Sequence, residues 1–184
     1  MTALGTIVRG ATLTSQDHAQ EGLAHLRQGL AACHPLGAKA LQPWGLAMLA
    51  EGYARLGQPE AGLTALAKAQ ALIASTREAF YAAEIARLEG ELRMQGGAQA
   101  PDVGAGTSPA TAVETCFQHA LEIARSQHAK WWELRAAMSL ARLWQQQGKK
   151  DEARELLAPV YGWFTEGFDT TDLQDAKALL EVLA

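Results

Sequence analysis

A spacing of 40 residues that recurs in two independent registers limits this chain more than any other feature. In the first register a small residue precedes a larger side chain by three positions. It appears as Gly10/Leu13, Ala50/Tyr53, Gly90/Arg93 and Ala141/Trp144, with steps of 40, 40 and 51. In the second register, Gly22/Leu26/Gly29, Gly62/Leu66/Ala69, Val113/Phe117/Ala120 and Ala153/Leu157/Val160 step by 40, 51 and 40. Both place one 11-residue insertion between Gly90 and Val113. A period of this length marks a supersecondary unit that cannot bury its apolar face alone and must stack on its neighbours.

Composition decides what the unit is made of. The chain holds 37 Ala and 25 Leu against 9 Val plus Ile and no Asn, a balance that favours helix and starves strands of β-branched residues. The expected fold class is all-α. Between Gly and Pro breakers the helical segments read as 2–14, 17–34, 38–56, 59–75, 78–95, 110–127, 130–147, 150–166 and 171–183, which makes four helix pairs and a final helix. The insertion, residues 96–109, is rich in Gly and Pro and reads as a mobile surface loop. Small residues recur because a large side chain where paired helices cross would push the backbones apart. Gly57 and Gly148 stand where a first helix must stop and reverse. One domain is expected over 1–184, with units of about 1–36, 37–76, 77–127 and 128–168 and a capping helix at 170–184.

Charge and motifs remove several function classes. The net charge is −4, and it resides in the last 19 residues, where Glu166, Asp169, Asp172, Asp175 and Glu181 face Lys177 alone. No basic block offers a nucleic-acid groove or a membrane-surface patch. Residues 1–10 lack the pattern of a signal peptide, and no run of about 18 apolar residues occurs. The reading is cytoplasmic, with Cys33 and Cys116 as reduced thiols. Cys33-His34 and Cys116/His119 can be drawn as a zinc site, but they lack the tight ligand pairs separated by turn residues that such sites show. Neither cysteine has a base that the sequence places beside it, and no G-x-S-x-G elbow occurs. No cofactor, metal or catalytic residue is assigned.

The arrangement resembles the tetratricopeptide repeat. Leu49-Ala50-x-x-Tyr53-x-x-x-Gly57 followed by Gly62, Leu66 and Ala69 matches its pattern, as does Leu140-Ala141-x-x-Trp144-x-x-x-Gly148 followed by Ala153. The other two units match loosely, with Arg93 where an aromatic is expected. The resemblance implies a right-handed helical-hairpin solenoid, with helices longer than a 34-residue repeat would need. A more specific resemblance lies in Glu133 through Gly148, Glu152 through Pro159 and Tyr161 through Asp169. These stretches are similar to the C-terminal segment of large multidomain bacterial proteins, in which a nucleotide-cyclase or DNA-binding domain precedes a predicted signal-transducing ATPase and a helical-repeat arm follows it. Nearly the whole chain shares the resemblance, with the distinctive wording in residues 112–183. It implies a regulatory arm. No G-x-x-x-x-G-K-[ST] loop and no cyclase carboxylate pair occur in these residues, so neither activity is assigned to the chain.

In such solenoids the first helix of each pair supplies the concave wall. Its solvent-facing register gives Trp44, Ala47, Glu51 and Arg55 in the second unit, Glu84, Arg87, Glu91 and Met94 in the third, and Arg135, Met138, Arg142 and Gln145 in the fourth. Glu51/Arg55 and Arg87/Glu91 have the i, i+4 spacing of an intrahelical ladder, whereas Arg135 and Arg142 lack helical carboxylate partners and are open to an acidic ligand. Trp144 and Trp163 follow core periodicity, while Trp44 and one of Trp131/Trp132 are harder to hide. The first unit presents Leu4, Ile7 and Ala11 instead, an apolar face that marks a missing repeat or a self-association surface. At the other end Thr171-x-x-Gln174 fits a capping box, and Leu173, Ala176, Leu180 and Leu183 form a sealing stripe. The function these features imply is binding without chemistry, with a protein or peptide partner or neighbouring domains of a larger chain, and with neither nucleic acid nor membrane. The alternatives are a homodimeric adaptor joined through the first unit, and a small-ligand sensor using the groove around Arg87, Arg135 and Arg142.

Overall fold

The computed structural model describes residues 2–16, 18–33, 39–96 and 108–184. Among them the chain forms helices and a short 3-10 turn, Lys39–Leu41, with no strand. In chain order the helices are α1 (Ala3–Ser15), α2 (Ala19–Cys33), α3 (Gln42–Arg55), α4 (Pro59–Thr76), α5 (Ala82–Gly96), α6 (Pro109–Ser126), α7 (Lys130–Gln146), α8 (Lys150–Tyr161) and α9 (Thr171–Val182). The loop expected within 96–109 falls mostly outside the described residues.

Helix ends follow from local chemistry. Thr2 and Ser108 have extended backbones, and their side-chain oxygens accept from the Gly5 and Thr111 amides. Pro59 and Pro109 open α4 and α6, where a missing N–H costs no helical bond. The first-helix stops are built alike in two units. Gly57 adopts φ 65° and Gly148 φ 80°, and the following amides, of Gln58 and Lys149, donate to the Tyr53 and Trp144 carbonyls at 2.9 Å. This left-handed step is the reason for glycine at both places.

Each first helix packs on its own second helix, and each second helix on the next first helix. First helices also touch along the stack, α1 on α3, α3 on α5, α5 on α7 and α7 on α9, whereas second helices form no comparable contacts with one another among the described residues. The array therefore curves with its first helices inside. It is a helical-hairpin solenoid.

The repeated small residues are where the paired backbones meet. A Cβ on Gly10 would come within 2.8 Å of the Gly22 carbonyl oxygen and the Leu26 amide, and one on Gly22 within 2.7 Å of the Gly10 carbonyl oxygen. At Gly90 the space is taken by the Phe117 ring, which is fully buried. In the second and fourth units the larger partner three positions on sends its polar end toward the preceding second helix. Arg27 donates to the Tyr53 hydroxyl at 2.9 Å, and the Trp144 indole N–H donates to Glu114 at 3.0 Å. In the third unit, where an aromatic is replaced, Arg93 donates to Glu89 at 2.7 Å, and Glu89 accepts from Gln70 of α4 at 2.8 Å. An ion pair thus bridges the gap that a ring spans elsewhere.

The C-terminal end departs from expectation. Helix α8 stops at Tyr161 and not at 166, two residues beyond Pro159, whose nitrogen has no proton to donate. Helical periodicity therefore does not reach Trp163, which is 58% exposed and not a core residue. The cap of α9 is Thr170, with Thr171 already helical, so the expected capping box does not form. Gln174 donates to the Asp169 carbonyl, and the Thr170 hydroxyl to the Gly167 carbonyl. The sealing stripe is Leu173, Ala176, Leu179 and Leu183, with Leu180 at its margin.

Gly22→Ala puts a methyl group against backbone that cannot move aside, and it should lower the free energy of unfolding by about 2 kcal/mol in a urea titration. Gly45→Ala meets only the Leu30 and Ile7 side chains. Those can yield, and the helix-propensity gain of Ala over Gly, about 1 kcal/mol, should leave that variant near neutral.

Candidate functional site

The inner surface carries most of the expected groove residues, and its centre is already occupied by their own charges. Glu84 on α5 is 1% exposed. Its two carboxylate oxygens accept from Arg87 Nε at 3.0 Å and Nη2 at 2.8 Å, a bidentate fork. Arg87 Nη1 also donates to Glu91 at 3.0 Å and to the Ser139 hydroxyl at 3.2 Å, and Ser139 donates to Glu91 at 2.6 Å. From α7, Arg135 Nη2 lies 3.1 Å from Glu84 Oε1. Arg135 is therefore not the open cation that its own helix implies. Its partner is on the neighbouring first helix, at the equivalent repeat position. An anionic ligand at Arg87 and Arg135 would have to compete with Glu84 and Glu91.

Around this network the electrostatics are set by burial and neighbours. Burial alone would depress Arg87, but the charge of Glu84 and its hydrogen bonds, with Glu91, outweigh it and raise the guanidinium pKa. Tyr81 is raised by burial and then by Glu84, so its phenol stays neutral. Its ring packs edge-on against Trp132 at 5.0 Å, and the Arg135 guanidinium lies 5.8 Å from the centre of the Trp132 ring. At the start of α7, burial pushes Glu133 upward, but Lys130 at 2.7 Å and Arg125 at 3.0 Å hold its carboxyl below the usual range.

The remaining expected positions divide. Trp44 is half-buried against the first-half core, and Met138 is buried. Glu51 and Arg55 pair along α3 at 3.6 Å, and Arg142 reaches Asp175 of α9 at 3.7 Å. In the first unit Leu4 is 45% exposed, as is its neighbour one turn on, Val8, at 47%. Ile7 is corrected. It is fully buried against Gly29, because the side of α1 that faces α2 carries Ile7, Gly10 and Thr14, and the outer side carries Leu4 and Val8. Cys33 is buried and Cys116 half-buried, and burial together with Glu89 pushes the Cys116 thiol up to about 11. That thiol is protonated at neutral pH. Among the described residues no group of three or more His, Cys, Asp or Glu is gathered to hold a metal, and His34 lies outside those residues.

Two features escape a reading of the sequence alone. Ser139 looks like an indifferent helix residue, yet it bridges Arg87 and Glu91 between two repeats. The pairing of Glu84 with Arg135 left a trace, because these residues are separated by the same 51 positions as Gly90 and Ala141. The second feature is a chain of aromatic rings along the edge where second helices turn into the next first helix. Phe80, Tyr81 and Trp132 are linked edge to face, and so are Trp131, Phe164 and Trp163, with Tyr161 against Phe168. That the turns are neighbours is shown by Gln127, which donates to the Ala79 carbonyl at 2.7 Å.

Arg87→Ala strips the buried Glu84 of its bidentate fork and leaves it Arg135 alone, and it should reduce the unfolding free energy by about 2 kcal/mol. Arg55→Ala, at an exposed pair, should change it by about 0.5 kcal/mol or less. Because the folded-state pKa of Glu133 lies below its unfolded value of about 4.3, its stabilisation is complete above that value and is lost as pH falls through the folded pKa. The stability difference between the native chain and Glu133→Gln, measured by denaturant unfolding from about pH 6 down to about pH 3, should therefore shrink.

No family model matches the chain, and no curated protein matches it. Two solved structures from Podosopora anserina do, one of them a point variant of the other, both described as nearly identical TPR-like repeats of a kinesin light chain. Each shares 18% identity at a TM-score of 0.64, covering 97% of this chain and 83% of that one. At that identity the likeness shows the fold, and the chain is an all-helical solenoid of TPR-like hairpins.

Proposed function

We propose that the chain is a non-catalytic protein-interaction and regulatory module, and that it serves as the C-terminal arm of a bacterial signalling ATPase or cyclase. The observation that carries the interaction reading is the continuous inner surface made by first helices α1, α3, α5, α7 and α9, a rigid curved platform of the kind helical repeats use to hold another chain. Its centre is closed by Glu84, Arg87, Glu91 and Arg135 pairing with one another, so recognition falls to the more accessible positions on either side. These are Trp44, Glu51 and Arg55 on α3 and Arg142 on α7. The arm context rests on the resemblance carried by residues 112–183, and no helix among the described residues is long and apolar enough to cross a membrane.

Translation of the native locus upstream of Met1 is the first test. A continuous frame carrying a phosphate loop supports the arm reading, and an in-frame stop excludes it. With the frame in hand, the ATPase domain it encodes should bind this chain in calorimetry, and Arg55→Gln with Arg142→Gln should weaken that binding about tenfold while lowering the thermal unfolding midpoint by no more than about 4 °C. The exposed Leu4 and Val8 on α1 favour a second reading, an adaptor that dimerises through this outer face. Light scattering separates the two, since only the adaptor is a dimer that Val8→Glu dissociates.

A further inference from the structure

Eight of the chain's 12 aromatic residues lie along the turn edge described above. Tyr81 is buried and Trp132 half-buried, so those rings are explained by packing. Others are not. Trp163 is 58% exposed, Phe168 47% and Trp131 36%, all gathered about Phe164 and Tyr161 at the C-terminal end of the edge. Large rings left in water at one place mark a contact surface, because most interface energy comes from a few aromatic and arginine anchors.

Charge identifies what would cover them. The link between α8 and α9 and the first turn of α9 carry Glu166, Asp169 and Asp172 and no basic residue, and these three have no cationic partner among the described residues. Lys130, paired with Glu133 at 2.7 Å, sets its Nζ 5.9 Å from the centre of the Trp163 ring, so that ring already lies beside a cation. A guanidinium has the planar shape to stack on such a ring while its N–H groups reach a carboxylate, which a compact ammonium does less well. We infer that Trp163, Phe168 and Trp131, flanked by Glu166 and Asp169, dock an arginine-bearing basic peptide segment, with proline or other extended residues laid over the rings. This surface is separate from the inner face, so it stands whether or not the inner face binds a partner.

The test uses the full chain and a short synthetic Arg-Pro repeat peptide, followed by tryptophan fluorescence and calorimetry, with a Glu-Pro repeat of equal length as its counterpart. The Arg-Pro peptide should bind and be weakened by salt, and the Glu-Pro peptide should not bind. Trp163→Ala should weaken Arg-Pro binding about tenfold, and so should the double variant Glu166→Lys, Asp169→Lys. All these side chains are exposed, so both variants should keep the native circular dichroism and unfolding midpoint. Failure of the Arg-Pro peptide to bind, or binding that neither variant alters, overturns the inference. Two other results also overturn it. One is capture of a single-stranded oligothymidylate at Trp163 in place of the peptide. The other is a dimer in light scattering that Trp163→Ala dissociates, which would make a second copy the occupant.

Discussion

Close approach of two helix backbones is the constraint on which the rest of this protein depends. At Gly10 and Gly22 the two chains sit so near that either Cβ would fall within 3 Å of the other helix's carbonyl oxygen. Once a pair is held at that distance, the side chains around the crossing are forced into the space above and below it, which is where Leu26, Ile7 and, in the third unit, Phe117 are buried. Dispersion and apolar burial do the stabilising, but only because the small residue admits them. Repetition of small residues at the crossing, at steps of 40, 40 and 51, turns four hairpins into one curved stack.

Stacking then creates a problem that the sequence solves with charge. First helices line the inner side of the curve, and α5 and α7 meet there through polar side chains. A buried carboxylate such as Glu84 is tolerable only with its hydrogen bonds filled, and Arg87, Arg135 and Ser139 together complete the network it shares with Glu91. A network of this kind gives little net stability against an apolar alternative, but it penalises any sliding of one repeat past the next, because a shift would strand the charge. The same network closes the middle of the groove. An anionic group reaching Arg87 or Arg135 there would have to displace Glu84 or Glu91.

Legibility in the sequence followed the range of the interaction. The helix pairs, the stops at Gly57 and Gly148 and the intrahelical pairs Glu51/Arg55 and Arg87/Glu91 all depend on residues close in the chain, and all are present. Local patterns stop being informative where the element that carries them ends. The helical period that would carry Trp163 into the core ends with Pro159 and Tyr161, and the cap of α9 lies at Thr170, one residue before the motif. Ile7 and Leu4, three positions apart on α1, straddle the boundary between its buried and its open side, which helical spacing alone does not locate.

By itself the sequence determined that this chain is helical, that its helices come in pairs, and where the pairs cross, because propensity, turn chemistry and the need for small residues at a crossing are all written in local order. Which charges meet between repeats was decided by tertiary structure alone. Arg135 looks free on its own helix and is spoken for by Glu84 across the stack, and the scattered rings of Trp131, Trp163 and Phe168 come together only when two turns are brought to one edge. The physical reason is common to both cases. Pairings between repeats depend on the distance and rotation at which hairpins stack, and those are set by the whole packed array, not by any one segment of it.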